Sequence, residues 1–252
     1  MASFAPEVIF QIGSFPVTNT LINTFFVDTL LISTAVVVSK TIKKVPGKFQ
    51  NLVELLVEEF YKLTEQVSGK NAARIFPWFI TFFLFIIIAN WSGLIPGVGS
   101  IGIWHEVEHH TAHGTEVERV LVPINRNLTS DLNATLALAL VSLVATHTLA
   151  ISALGFAVYI SRYLSLNPIM LYVGLLELVS EFTKVVSLSF RLFGNIYAGE
   201  VVLITISSLF AFLAPVPFML LEVIVGLVQA LVFGMLTMVF MSVLMTSHKE
   251  SH

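Results

Sequence analysis

Long apolar runs separated by short polar segments dominate the chain. A helix needs about 20 apolar residues to cross the hydrocarbon core of a membrane. The run at 18–39 is interrupted by Asp28, the run at 168–210 contains several charged residues, and the remaining runs are nearly free of charge. The runs predict membrane helices at residues 18–39, 76–97, 132–161, 168–210 and 214–247. The pattern therefore predicts a single membrane domain over 1–252: an all-α polytopic protein with about five membrane-embedded helices.

Residues 47–70 have helical periodicity but are too polar to span a membrane. Apolar residues recur every three or four positions, and glutamates fill many of the other positions. An amphipathic helix of this kind is expected to lie in the membrane interface. A soluble linker helix is the alternative.

The last two apolar runs are longer than a membrane requires. At 1.5 Å per residue, residues 168–210 would extend about 64 Å as a helix, against a hydrocarbon core of about 30 Å. Three explanations are open: strong tilt, breaks at Gly194 and Gly199, or ends that leave the membrane. Because average tilts are only about 20°, steep tilt needs a partner surface. We expect a long tilted hairpin that turns near residues 211–213.

The composition supports a membrane protein and excludes several chemistries. The chain is 56% hydrophobic and 12% charged, with a mean hydropathy of +0.89. Soluble domains carry about 25% charged residues. A net charge of -3 argues against a nucleic-acid partner, which would require a basic surface. The absence of cysteine excludes disulfides, thiolate metal sites and thiol nucleophiles.

The N-terminal segment is expected to be retained as a membrane helix. It has no Lys or Arg before its first apolar run, whereas a secretory signal needs a basic region there.

The basic residues are distributed asymmetrically, which predicts the orientation. Seven lie between the first and second runs, and Arg162 and Lys249 follow the third and the last. Outside the apolar runs, only Arg119 and Arg126 fall on the opposite face. The 40–75 region and the C-terminus are therefore predicted to be cytoplasmic and the N-terminus to be outside.

Ionisable residues inside the last two runs are costly, and each is therefore a functional hypothesis. At 100° per residue, one helix face of the 168–210 run carries Glu177, Glu181, Lys184, Arg191 and Asn195.

Two further acids and a glutamine occur beyond this face. Glu200 points about 180° away from Arg191 and lies roughly 13 Å further along the axis. An antiparallel hairpin places Glu200 level with Glu222 and Arg191 level with Gln229.

These groups suit proton transfer. A carboxyl group in a low-dielectric setting can bind and release a proton near neutrality, whereas arginine stays charged. Two acid-lined half-pathways would thus be separated by Arg191, and a partner subunit would supply the mobile acid. The alternative is that the charges form ion pairs that hold helices together, as Glu181 and Lys184 could. For Arg191 this alternative is weak because no acid lies three or four positions away.

Other polar residues have two interpretations each. His147 could line a channel or simply be hydrogen-bonded to a neighbour. Asp131 and Asn133 could be helix caps or the mouth of the outer half-channel. Asn90 and Trp91 are interpreted as packing and interface residues.

Residues 105–109, His-Glu-Val-Glu-His, fit the zincin pattern H-E-x-x-H. That mechanism needs both histidines on one helix face and a third ligand. The segment is acidic and helix-poor, and we interpret residues 99–130 as a solvated loop. We expect no metal site.

Four motifs resemble those of the subunit a family of F-type ATP synthases. They are SFRLFGNIYAGE at 189–200, TSDLNATLALAL at 129–140, GLIPG at 93–97 and GLVQALVF at 226–233. The resemblance covers most of the chain from about residue 45 and is poor across 99–128.

The resemblance implies a stator subunit with two offset half-channels, next to a rotating ring of subunit c. It implies that Arg191 faces the ring carboxylate and separates the half-channels, and that Asn195, Glu200 and Gln229 are the family's polar positions. Many bacterial members have histidine at the position of Glu222, so two acids that share a proton are expected here. The implied partners are the c-ring, the peripheral-stalk subunit b, the rest of the complex and membrane lipid. No cofactor and no catalytic site are implied, and the implied location is a bacterial plasma membrane.

Two other function classes fit less well. A self-contained secondary ion transporter would need an inverted repeat, and the two halves show no similarity. A purely structural membrane anchor would not explain Arg191.

Overall fold

The computed structural model describes residues 6–95, 97, 101–111, 114–163, 168–209 and 214–246, without the side chains of 15 and 105–120. Most of this chain is helical, which confirms the all-α class. The helices are α1 (Asn19–Thr41), α2 (Lys48–Ser68), α3 (Ala72–Gly93), α4 (Leu132–Leu154), α5 (Phe156–Tyr163), α6 (Pro168–Leu209) and α7 (Pro215–Met245). Within the described ranges, four helical segments are long and apolar enough to cross a membrane: α1, the continuous α2–α3 segment, α4 and α7.

Two β-hairpins accompany the helices, and the sequence did not predict either of them. Strands β1 (Val8–Ile12) and β2 (Phe15–Thr18) pair antiparallel before α1. Strands β3 (Gly102–Thr111) and β4 (Gly114–Pro123) pair antiparallel between α3 and α4. The prediction of a solvated loop over 99–130 is therefore wrong. Alternating polar and β-branched residues, which favour strands, explain this second hairpin.

The third predicted run is two helices rather than one. Helix α4 ends at Leu154, and the short amphipathic helix α5 follows directly. Gly155 separates them with a φ of 82°, a backbone conformation that glycine adopts readily. The prediction of one helix over 132–161 is wrong for this reason.

Helix α6 is one continuous helix of 42 residues. It passes through Gly194 and Gly199 without interruption, so a break at these glycines is excluded. Pro215, the first residue of α7, opens the next long helix at a position that tolerates proline.

Helix α3 lies at the centre of the bundle. It packs along α7, and α4 lies against both α6 and α7. The core combines Phe82 and Ile86 of α3 with Leu192 of α6 and Phe233 of α7. Hydroxyl pairs join helices, as between Ser142 and Thr237 at 2.8 Å and between Thr135 and Ser189 at 3.1 Å. Small polar contacts of this kind are common between membrane helices.

Helix α2 packs on the bundle through one edge only. The Phe60 ring contacts the rings of Phe79 and Phe83 of α3, with centroids 5.8 Å and 4.8 Å apart. Other apolar residues of α2, including Phe49 and Leu52, remain exposed. This exposure fits a helix that lies in a membrane interface.

Several predicted features lie outside the described residues. These are the hairpin turn at 211–213, Lys249, and the side chains of His105, His109 and Arg119.

Candidate functional site

Helix α6 presents Arg191 on an outward surface. The side chain is exposed, and its Nη2 donates to Ser187 Oγ at 3.4 Å. Among the described residues, no carboxylate lies within ion-pair distance of this guanidinium. The surrounding exposed face of α6 is small or polar at helical spacing: Ser180, Thr183, Ser187, Gly194, Asn195 and Ala198. We call this face the Arg191 stripe.

Glu200 faces away from the Arg191 stripe, as helical geometry predicted. Its Oε1 lies 3.3 Å from Nε of Arg126, a buried residue in the segment before α4. Helical rise puts Glu200 about 13.5 Å beyond Arg191 along the axis.

Glu222 of α7 lies at the level of Glu200, which confirms the predicted register. A Cβ built on Gly199 would overlap Oε1 of Glu222, so the carboxylate lies directly against the α6 backbone beside Glu200. Glu222 is buried, at 7% exposure. The same register brings Gln229, which is half-buried, near the level of Arg191.

The contact between Arg126 and Glu200 is not predictable from the sequence, because a loop residue gives no periodicity from which to predict its neighbours. One feature of the sequence does indicate such a partner. Glu200 and Glu222 are predicted to lie at the same depth in the membrane, and two neighbouring acids there favour a nearby cation.

A second group of ionisable residues lies on the other side of Arg191. Lys184 Nζ is 2.7 Å from Glu181 Oε1, which confirms the predicted pair. Lys184 also lies over the ring of Phe240, 4.7 Å from its centroid. Glu181 is buried, and its Oε2 is 4.0 Å from His147 Nε2. The His147 Nδ1 lies 2.6 Å from the hydroxyl of Tyr159, so this histidine is hydrogen-bonded to a neighbour, and its assignment to a channel stays a prediction.

Glu177 extends this group towards α5. Its Oε1 is 2.6 Å from Nε of Arg162, which was not predicted as a partner. A cavity of about 410 Å³ lies between α4, α5 and α6, and its wall includes His147, Tyr159 and Glu181.

The contacts of the remaining polar candidates are a helix cap and hydrogen bonds between elements. Asp131 caps α4 by accepting from the backbone N–H of Asn133 at 2.9 Å, while the Asn133 side chain is exposed. Asn90 is buried; it donates to the carbonyl of Gly226 and accepts from the Thr129 hydroxyl. These bonds join α3 to α7 and to the segment before α4.

The zincin motif does not lie on a helix. Residues 105–109 belong to strand β3, so the helical geometry that the mechanism requires is absent. Within the described part of the chain, no group of three or more histidine, aspartate or glutamate residues could hold a metal ion.

The fold and the site define a polytopic helical membrane protein. Its longest helix, α6, carries ionisable residues at three successive positions along its length. Comparison with known proteins makes this class specific. The family described as ATP synthase A chain matches residues 21–242. ATP synthase subunit a of Moorella thermoacetica is 30% identical over 248 residues, which is 98% of this chain and 100% of that protein. ATP synthase subunit a 1 of Hahella chejuensis is 32% identical over 241 residues, which is 96% and 90% of the two chains.

The chain belongs to the ATP synthase A chain family. The resemblance seen in its sequence is confirmed, and the chain is a multi-pass membrane component of an ATP synthase.

Proposed function

We propose that this chain is the stator subunit that carries protons to and from the carboxylates of a rotating c-ring through two offset half-channels. Arg191 separates the half-channels. Glu200, Glu222, Asn195 and Gln229 belong to the central and outer part of the path. The candidates for the inner part are Glu177, Glu181, Lys184 and His147, and the candidates for the outer mouth are Asp131 and Asn133.

The exposure of Arg191 carries this proposal. A permanently charged group on a membrane helix needs a compensating charge or water. Its stripe is exposed and free of bulky side chains near Gly194 and Ala198, so a second helix could approach closely. A carboxylate on the ring is the counter-charge that fits this surface.

The two groups of ionisable residues support separate half-channels. Glu181 precedes Arg191 by ten residues, about 15 Å of helix, and Glu200 follows it by about 13.5 Å. Neither distance allows direct proton transfer past the arginine. A moving carboxylate on a partner would be required to connect the two sides.

Exposed apolar surface on the rest of the bundle supports the other partners. Helices α1 and α2 expose many large apolar side chains, among them Phe25, Ile32 and Phe49. We assign these surfaces to membrane lipid and to the peripheral-stalk subunit b. The proposed location is a bacterial plasma membrane, with the N-terminus outside.

The test is Arg191→Ala in the assembled ATP synthase, assayed by ATP-driven proton pumping in inverted membrane vesicles. We expect coupled pumping to be abolished, because nothing then separates the half-channels. Arg74→Ala is the matched control, since Arg74 is an exposed arginine on α3 outside the site. Retained pumping in Arg191→Ala would refute the proposal. Proton conductance by the chain alone in liposomes would favour a self-contained transporter instead.

A further inference from the structure

We propose that Arg126 is a positioning residue that holds Glu200 as a fixed carboxylate and leaves Glu222 as the acid that binds and releases the proton. The inference rests on the proposed function, which includes both Glu200 and Glu222 in the proton path. It assigns a different role to each of the two acids.

Arg126 is built into the protein as a fixed charge. The side chain is 8% exposed, and its Nε lies 3.3 Å from Glu200 Oε1 and 3.2 Å from Ser130 Oγ. Ser130 in turn donates to the carbonyl of Asn127 at 2.9 Å, in the 3₁₀ turn before α4. Because a guanidinium does not deprotonate in proteins, Glu200 has a permanent counter-charge.

Glu222 has the opposite environment. It is as buried as Arg126, yet among the described residues no cation lies within ion-pair distance of it. Its Oε2 is buried and has no hydrogen-bond partner in the described part of the chain, and the same holds for Oε2 of Glu200, so the two acids differ by the ion pair with Arg126. Burial of a carboxyl group without a counter-charge favours the neutral acid. The two adjacent acids thus differ in their counter-charge: Glu200 has Arg126, and Glu222 has none among the described residues. We therefore assign proton exchange to Glu222.

Among the side chains that the structure describes, the other groups at this end do not supply Glu222 with a counter-charge. Asp131 is engaged as the cap of α4, and its Oδ2 also accepts from the Thr20 hydroxyl at 3.3 Å. Glu7 lies beside Asn19 through backbone and side-chain bonds at the start of α1. Helix α3 contributes only uncharged groups here, Asn90 and Trp91.

Loss of the Arg126 charge is expected to move the pH profile of transport in one direction. In Arg126→Gln, Glu200 and Glu222 become two adjacent carboxyl groups without a cation. Like charges disfavour simultaneous ionisation, so one of the two acids keeps its proton to a higher pH. The pH profile of transport is then expected to move to higher pH by about one unit.

The experiment measures ATP-driven proton pumping against pH in vesicles that contain the assembled complex. Arg126→Gln should shift the profile to higher pH, and Arg126→Lys should restore it because the charge is kept. The double variant Arg126→Gln/Glu200→Gln should move the profile back towards lower pH relative to Arg126→Gln, since the repulsion between the two carboxyl groups is gone and Glu222 alone remains to exchange protons. Glu222→Gln should abolish pumping. The amount of subunit in the membrane is measured for each variant, so that loss of assembly is separated from loss of transport.

Three results would overturn the inference. The first is a double variant, present in the membrane at the wild-type level, that is as inactive as Glu222→Gln; this would make Glu200 an obligatory carrier. The second is an assembled Glu222→Gln complex that pumps normally. The third is an Arg126→Lys profile that matches Arg126→Gln, which would show that shape and not charge matters. Each leaves the proposed function intact as long as Arg191→Ala abolishes pumping, so the two failures are distinguishable.

Discussion

Gly199 leaves room for the carboxylate of Glu222. The substitution Gly199→Ala, which adds one methyl group, tests this contact. Alanine favours a helix over glycine by about 1 kcal/mol, so Gly199→Ala would stabilise α6 if nothing opposed it. A Cβ at this position would overlap Glu222 Oε1. The carboxylate is the end of a flexible side chain, but Glu222 is buried, and overpacking that the buried side chain cannot relieve by moving costs about 1–3 kcal/mol. We expect a lower midpoint in thermal unfolding of the purified chain in detergent.

Gly194→Ala is the matched control, five residues earlier on the same helix. Nothing lies within 4 Å of a Cβ built there. The thermal midpoint should stay the same or rise slightly. Equal destabilisation by both substitutions would contradict the close approach of Glu222 to α6.

Single residues were predictable from the sequence where helical geometry alone decides their positions. The opposite directions of Arg191 and Glu200 follow from nine steps of 100°, and the level of Glu222 follows from an antiparallel register. The partners Arg126 and Arg162 were not predictable in this way. Each lies outside the long helices that carry its acid, so tertiary packing rather than periodicity brings it there.

At the scale of elements, the Arg162–Glu177 ion pair holds α5 against α6. Both side chains are mostly buried, at 14% and 20% exposure, and the two atoms are 2.6 Å apart. Removal of one member of a buried pair typically costs about 3–5 kcal/mol, because the other charge stays behind. Arg162→Gln should therefore release α5, seen as faster hydrogen exchange of the amides in residues 156–163.

A double variant provides the control for this pair. Arg162→Gln/Glu177→Gln removes both charges, so it should protect α5 better than Arg162→Gln alone. If the single and the double variant exchange at the same rate, the ion pair does not hold α5.

The long helices were predictable as elements, and the short ones were not. Apolar length determined the position of α1, α3, α6 and α7 to within a few residues, because a membrane allows few other structures for such runs. The boundary at Gly155 depends on one backbone conformation inside an apolar run. The β3–β4 hairpin depends on alternation in a segment whose many histidines and glutamates indicated a solvated loop.

At the scale of the whole molecule, a well-packed apolar core contrasts with large exposed surfaces. The α3–α7 core is sealed by apolar packing, while the Arg191 stripe, α1 and much of α2 expose their surfaces. A chain that exposes both a charge and large apolar areas depends on surroundings that cover each of them. Lipid can cover the apolar areas, whereas Arg191 needs a compensating charge or water, and an acid on a partner would supply that charge.

The orientation of the whole molecule can be tested because the natural chain has no cysteine. Helix α1 has 23 residues, about 35 Å of helix, so its two ends should lie on opposite sides of the membrane. Ser14 lies in the exposed turn between β1 and β2, and Val45, beyond the other end of α1, is 83% exposed. Because basic residues surround position 45, a membrane-impermeant maleimide should label Ser14→Cys in intact cells and Val45→Cys only in inverted vesicles. The unsubstituted chain serves as the blank. The reverse pattern would invert the proposed half-channels, and labelling of both positions from one side would mean that α1 does not cross the membrane.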